Sequence, residues 1–287
     1  MSGSKLALPL LLAATLCGCS SEETVVDPVA ACDVGDSYAA IVTSLNFTRE
    51  DPVGVTPGFN LDGVVSDARD DASCNQPDTV DPSGVKGIDN QVARLVPTVE
   101  KVYGNAIDGL VQGAINNGEL EILLEMDGVS SFADDDCVNL SVGIGKGSVI
   151  LGTDGVLAGY QTFDLDPKHT PSQFLRGSIA NGVMTAGPFE VALPLKLFDV
   201  QFTLHLHGGM FRFQIDDQGN IDGILGGGID VQELLDGVKQ GAGVANSIGL
   251  VELVLKGAAD MARDKSGVCH QISAALSFKA VPAFIRK

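Results

Sequence analysis

Three groups of residues in this 287-residue chain have types and spacings that chemistry can use. The first is His205-Leu206-His207. On a strand, residues two apart project from one face, and paired imidazoles of this kind bind zinc, iron or copper. A working site needs a third ligand, and Gly208 to Gln214 contain no carboxylate. Asp164, Asp166 or His169 would have to be brought in by folding. Strand alternation already accounts for both imidazoles as solvent-facing residues opposite Phe202, Leu204 and Leu206, so a transition metal is disfavoured. The second group is the acidic set Asp62, Asp67, Asp70, Asp71, Asp78, Asp81 and Asp89, which is punctuated by glycines. Hard cations take six to eight oxygen ligands from such loops, so a structural Ca2+ is the cofactor the segment suggests. A solvated acidic loop is the plainer alternative.

The third group is six cysteines, at 17, 19, 32, 74, 137 and 269. Zinc is disfavoured because no two of Cys32, Cys74, Cys137 and Cys269 are closely spaced and only His270 adjoins one of them. Two disulfides are expected, with three possible connectivities. Loop length slightly favours Cys32 with Cys74. Other motifs are missing. There is no G-x-S-x-G elbow, and Gly226-Gly227-Gly228 lacks a phosphate-binding fingerprint. The run Asp216 to Gly223 superficially resembles a calcium loop, but the twelfth position would be Ile229 instead of a carboxylate, so it reads as a hairpin turn. Asp134-Asp135-Asp136 likewise reads as a turn.

The elements that must carry these residues follow from periodicity. Ser37 to Thr48 reads as a first strand. Apolar residues from Val92 to Ile115 recur at three- and four-residue steps, which predicts one amphipathic helix or two. Pro97 should open or interrupt it, and Asn117-Gly118 should end it. Period-two alternation then marks strands over 119–126, 138–145, 190–197, 201–207, 211–215 and 271–279. In the first of these Glu119, Glu121 and Glu125 fall on the wet face. Asp154-Gly155 and Asp216 to Asn220 are hairpin signals. Asp230 with Glu233 forms a capping box for a helix, and a second helix is expected over 248–263. The fold class this predicts is α+β, an antiparallel sheet or sheets largely buried on one face and covered by a few amphipathic helices.

The amino terminus says where the chain works. Lys5 precedes an apolar stretch from Leu6 to Leu16, too short to cross a bilayer but suited to a secretory signal. It ends in Leu16-Cys17-Gly18-Cys19, which resembles the bacterial lipobox. That resemblance implies diacylglyceryl transfer to Cys19, cleavage before it and acylation of the new terminus. Ser20 follows in place of an aspartate, which favours the outer membrane. The expected organisation is a signal peptide over 1–18, a tether over 19–31 and a single α+β domain over 32–287 with the acidic loop at about 50–90. GFNLDG (58–63), GIDNQ (87–91) and Cys269-His270-Gln271-Ile272-Ser273 are similar to segments of uncharacterised exported lipoproteins of myxobacteria. This likeness implies a cell-envelope protein and brings no catalytic residues.

Removing residues 1–18 takes away Lys5 alone and leaves 17 Lys and Arg against 37 Asp and Glu, a net charge of −20. Such a field repels nucleic acid, so no nucleic-acid partner is expected. The partner expected is the lipid bilayer, through acylated Cys19. The leading functional expectation is a non-catalytic binding or structural envelope protein. Its apolar-carrier form predicts a cavity lined by Leu193, Leu195, Phe202, Leu204, Phe211 and Phe213. The alternative is an anchored hydrolase using a carboxylate pair.

Overall fold

A computed structural model describes residue 32 and residues 35–103, 106–172, 175–197, 200–239 and 248–286. Residues 1–31, with Cys19, and the side chains of Leu195 and Phe202 lie outside the described residues. Residues Ala31–Lys287 form one compact unit. In chain order its elements begin with β1 (Asp36–Phe47), β2 (Thr79–Val80), β3 (Lys86–Ile88), α1 (Val92–Tyr103) and α2 (Ala106–Asn116). Then come β4 (Ile122–Val129), β5 (Asp135–Lys146), β6 (Gln161–Leu165), β7 (Leu175–Ala180), β8 (Val183–Leu197) and β9 (Val200–Ile215). The last are β10 (Ile221–Asp230), α3 (Val231–Lys239), α4 (Ile248–Ala258) and β11 (Gln271–Arg286).

The sheet closes on itself. Strands β1, β4, β5, β7, β8, β9, β10 and β11 pair antiparallel in sequence order, and β11 returns to pair with β1. This corrects the expected helix-covered α+β sheet: the described residues are mostly β, with 46% strand and 17% helix, and are built on a closed eight-stranded antiparallel barrel. Alternation reports which face of a strand is wet but not whether the first and last strands meet. Closure demands a stagger, and the register shows it. From Val138 the pairing passes through Gly177, Ala186, Phe211, Leu225 and Leu276 to Phe47. In the other direction Leu140 reaches β1 through Met126 at Tyr38.

The barrel is apolar inside. Val138, Leu140, Met184, Leu193, Leu204, Leu206, Phe211, Phe213 and Phe278 are buried. The Phe211, Phe213 and Phe278 rings meet edge-on, and Phe189 stacks on Phe211 at 4.7 Å. The outer face of β9 carries Thr203, His205, His207, Arg212 and Gln214. Apolar-in and polar-out is the reverse of the pattern in a barrel that spans a bilayer.

Two additions cover the outer wall. β6 runs parallel to the end of β11 and antiparallel to the end of β5, which are not neighbours in the ring. It lays Phe163 and Leu165 beside Gly147 and Gly143 of the β5 strand and its end. Here β1 and β4 are buried on both faces: Ile41, Leu123 and Leu124 are fully enclosed. The segment 48–91 folds against β10 and β11, and its Phe59 ring lies against Gly226, where a Cβ would come within 2.6 Å of it. That contact gives one glycine of the Gly226–Gly228 run a packing role.

Helix α2 packs against β1 and β8, on opposite sides of the ring, and so lies across one mouth of the barrel. A bulge between Val42 and Ser44 frees the Thr43 carbonyl, which accepts the Gln112 Nε2 at 2.9 Å. Pro97 sits inside α1, and the helical stretch divides into two segments, α1 and α2. At α3, Asp230 Oδ1 accepts the backbone N–H groups of Gln232 and Glu233, as a cap should. The Asp154-Gly155 hairpin is reduced to one bridge, Leu151 to Leu157.

Candidate functional site

The disulfides connect Cys32 with Cys137 and Cys74 with Cys269. The loop-length preference for Cys32 with Cys74 was wrong because strand order, not sequence distance, sets which thiols meet. The first bond ties the chain just before β1 to β5, and the second ties the acidic segment to the start of β11.

That segment is ordered by its own polar contacts. Asn90 is buried, and its Nδ2 donates to Thr48 Oγ1 at 2.6 Å and Thr56 Oγ1 at 3.1 Å. Its Oδ1 accepts the Ala275 N–H at 3.1 Å. Asp89 Oδ2 accepts Leu61 N–H at 2.6 Å and Asp62 N–H at 3.2 Å, and Asp78 Oδ2 accepts Ser66 N–H. Burial, with the neighbouring Asp62 and Asp78 charges adding to it, pushes the Asp89 carboxyl up to about 8. Burial raises Asp78 as well. Asp89 therefore keeps its proton at neutral pH.

The seven aspartates proposed for calcium do not converge. Asp62, Asp78 and Asp89 gather, whereas Asp81 pairs with Arg212 at 3.2 Å. Asp67 and Asp70 accept backbone N–H groups two residues ahead in exposed turns. Asp71 lies in the turn before Cys74. Among the described residues no group of three His, Cys, Asp or Glu has the arrangement to hold a metal ion. Backbone N–H donors already occupy the Asp78 and Asp89 carboxylates, and neither residue lines the cleft described below.

The histidines point outward, as alternation predicts, and each has a carboxylate partner. His205 Nδ1 pairs with Glu233 Oε2 at 2.9 Å, and His207 Nδ1 pairs with Glu190 Oε2 at 2.6 Å. Glu190 Oε1 also accepts the Gly208 N–H at 2.9 Å. Asp166 and His169 pair with each other, and Asp164 pairs with Arg286, so neither completes a site with the β9 histidines.

The cavity expected at Leu193, Leu204, Phe211 and Phe213 is occupied by their own packing. A cleft of about 710 Å³ opens instead through the wall beside them. β7 has 6 residues between a 12-residue β5 and a 15-residue β8, so above it the two long strands part. Register shifts against β9 at Ala186/Phe189 and Phe189/Val191 bend β8 where it borders the gap. Val142, Ile144, Phe189 and Val191, which are inward-facing, form the depth of the cleft; Glu190 and His205 stand on its rim. Thr170, Pro171 and Ser172 complete one side. Sequence periodicity could not show this cleft, which depends on unequal strand lengths around a closed ring.

One buried group was misplaced by the alternation rule. Glu121, expected on the wet face, is 1% exposed, and both its carboxylate oxygens lack a hydrogen-bond partner among the described residues. The covering β6 layer makes its face an interior one. A Cβ on Gly145 would stand 2.8 Å from its Oε2, and one on Gly118 would stand 3.2 Å from its Oε1. Burial pushes this carboxyl up to about 7; the Gly147 N–H offsets part of the effect without completing a hydrogen bond.

Fold and site together define a disulfide-tied, closed antiparallel barrel with a side cleft. Comparison with family models, curated proteins and solved structures finds no match.

Proposed function

We propose that the chain is an exported, lipid-anchored binding protein of the outer membrane, whose side cleft takes a small, largely apolar ligand. The anchoring part rests on the lipobox-like Leu16 to Cys19 run and on the likeness to exported myxobacterial lipoproteins. The two disulfides fit an oxidising compartment. The observation that carries the binding part is the cleft itself: its depth is apolar, its volume lies in the usual ligand-site range, and it joins the outer surface to inward-facing side chains. Glu190 and His205 are the polar groups at its rim that orient a ligand bearing a hydroxyl or amine.

The test is titration with an apolar fluorescent probe. Ala192 lines the cleft on the side of Glu190 and His205, and Ala192→Trp blocks its mouth. The wild-type protein should bind the probe saturably and the variant should not. Equal binding by both places the ligand elsewhere and refutes the cleft.

A further inference from the structure

We infer that the end of the barrel where β1 begins and β11 finishes seats on the lipid surface through an aromatic patch. The inference rests on the anchoring reading above. Tyr160 is 64% exposed and Phe284 56%, and their rings lie 6.4 Å apart. Tyr38 is partly exposed and packs on Phe132 at 4.6 Å. Tyr38, Tyr160 and Phe284 line one shallow depression with Pro282 and Ile285. Exposed aromatic side chains are costly in water and favoured at a bilayer interface, where the ring is buried and a phenol stays wet. Tyr160 is held there at φ 61°, a conformation uncommon outside glycine, with its N–H bonded to the Pro282 carbonyl. The backbone is thus constrained to present this side chain.

The position of the patch in the chain names the occupant. Tyr38 is the third residue of β1, and the Cys32–Cys137 disulfide pins the chain just ahead of it. Between Cys19 and Cys32 lie 12 residues (20–31), and the 13 steps from one cysteine to the other span at most roughly 45 Å extended. An acylated Cys19 therefore keeps this end of the domain near the membrane at high effective concentration, and a patch too small to bind lipid unaided is sufficient. Leu250 and Leu253 of α4, which are also exposed, belong to the opposite end. The turn after α4 bonds to Gln271 at the start of β11, and β11 then carries the chain roughly 40 Å to Phe284.

The protein has no tryptophan, so a single introduced indole reports one place. The lipidated full chain carrying Phe284→Trp is reconstituted in phosphatidylcholine vesicles with lipids brominated near the headgroup. Its emission should shift to the blue and be quenched at least twofold, whereas Leu253→Trp should emit as in water and stay unquenched. Tyr38→Trp, on the same patch, should behave as Phe284→Trp and guards against a local effect of one substitution. A chain that floats with the vesicles while F284W and Y38W stay unquenched overturns the seating and leaves the anchor intact. Quenching of L253W alone reverses the orientation and also overturns it. A chain that carries no acyl group and does not float overturns the anchor, and the seating with it.

Discussion

Glu121→Gln should change how stability depends on pH, and the size of the change follows from the site. Glu121 sits under the β6 layer with no partner for either oxygen among the described residues. Its carboxyl ionises near 7 in the fold, against an ordinary 4.5. In the unfolded chain the proton leaves through 4.5; in the folded chain it stays until 7. Between those values the unfolded state binds fewer protons, so stability falls as pH rises, and the loss is complete above 7. A gap of this size corresponds to about 3 kcal/mol. Glutamine keeps the shape and cannot ionise. Urea unfolding of both proteins with disulfides intact, followed by circular dichroism from pH 4.5 to 8.5, isolates the effect. The variant should gain about 3 kcal/mol relative to wild type across that range, whatever constant offset the amide brings. Parallel stability curves would show that the carboxyl is solvated or paired and would refute the buried-acid argument.

Four further outcomes follow. Asp89→Asn should remove a destabilisation of the same sign, since the Asp89 carboxyl is held near 8 by burial; the variant's advantage over wild type should grow from pH 4 to pH 8 in the same unfolding assay. Asn90→Ala should cost about 3 kcal/mol, because it strands the buried Ala275 N–H and the Thr48 and Thr56 hydroxyls; a loss below 1 kcal/mol in denaturant unfolding would contradict the network. Gly226→Ala should push Phe59 off β10 at a cost of roughly 1–3 kcal/mol, with faster proteolysis between residues 50 and 90 as the readout. Replacing Cys74 and Cys269 together should destabilise by roughly 2–5 kcal/mol in thermal melts, and peptide mapping should recover no Cys32–Cys74 pair from the wild-type protein.

Local order was legible in the sequence, and long-range order was not. β1, α3 and the β9–β10 hairpin follow from alternation, a capping aspartate and turn residues, all of which act within a few positions. His205 and His207 also face outward as their period requires. Glu121 obeys the same period and yet is buried, because β6 returns from 40 residues downstream to cover its face. Barrel closure, the disulfide partners and the side cleft depend likewise on which distant strands meet. The gathering of Asp62, Asp78 and Asp89 was foreshadowed by the density of acids, but the scatter of the other four needed the turns they cap.

The most direct test of the binding account is mass spectrometry of the protein purified natively in mild detergent. The wild-type chain should carry a small apolar molecule near one per protein, and Ala192→Trp, with the mouth of its cleft blocked, should carry none. A wild-type protein that is empty under gentle extraction, or a variant that retains the same molecule, would contradict a ligand-binding cleft between β5 and β8.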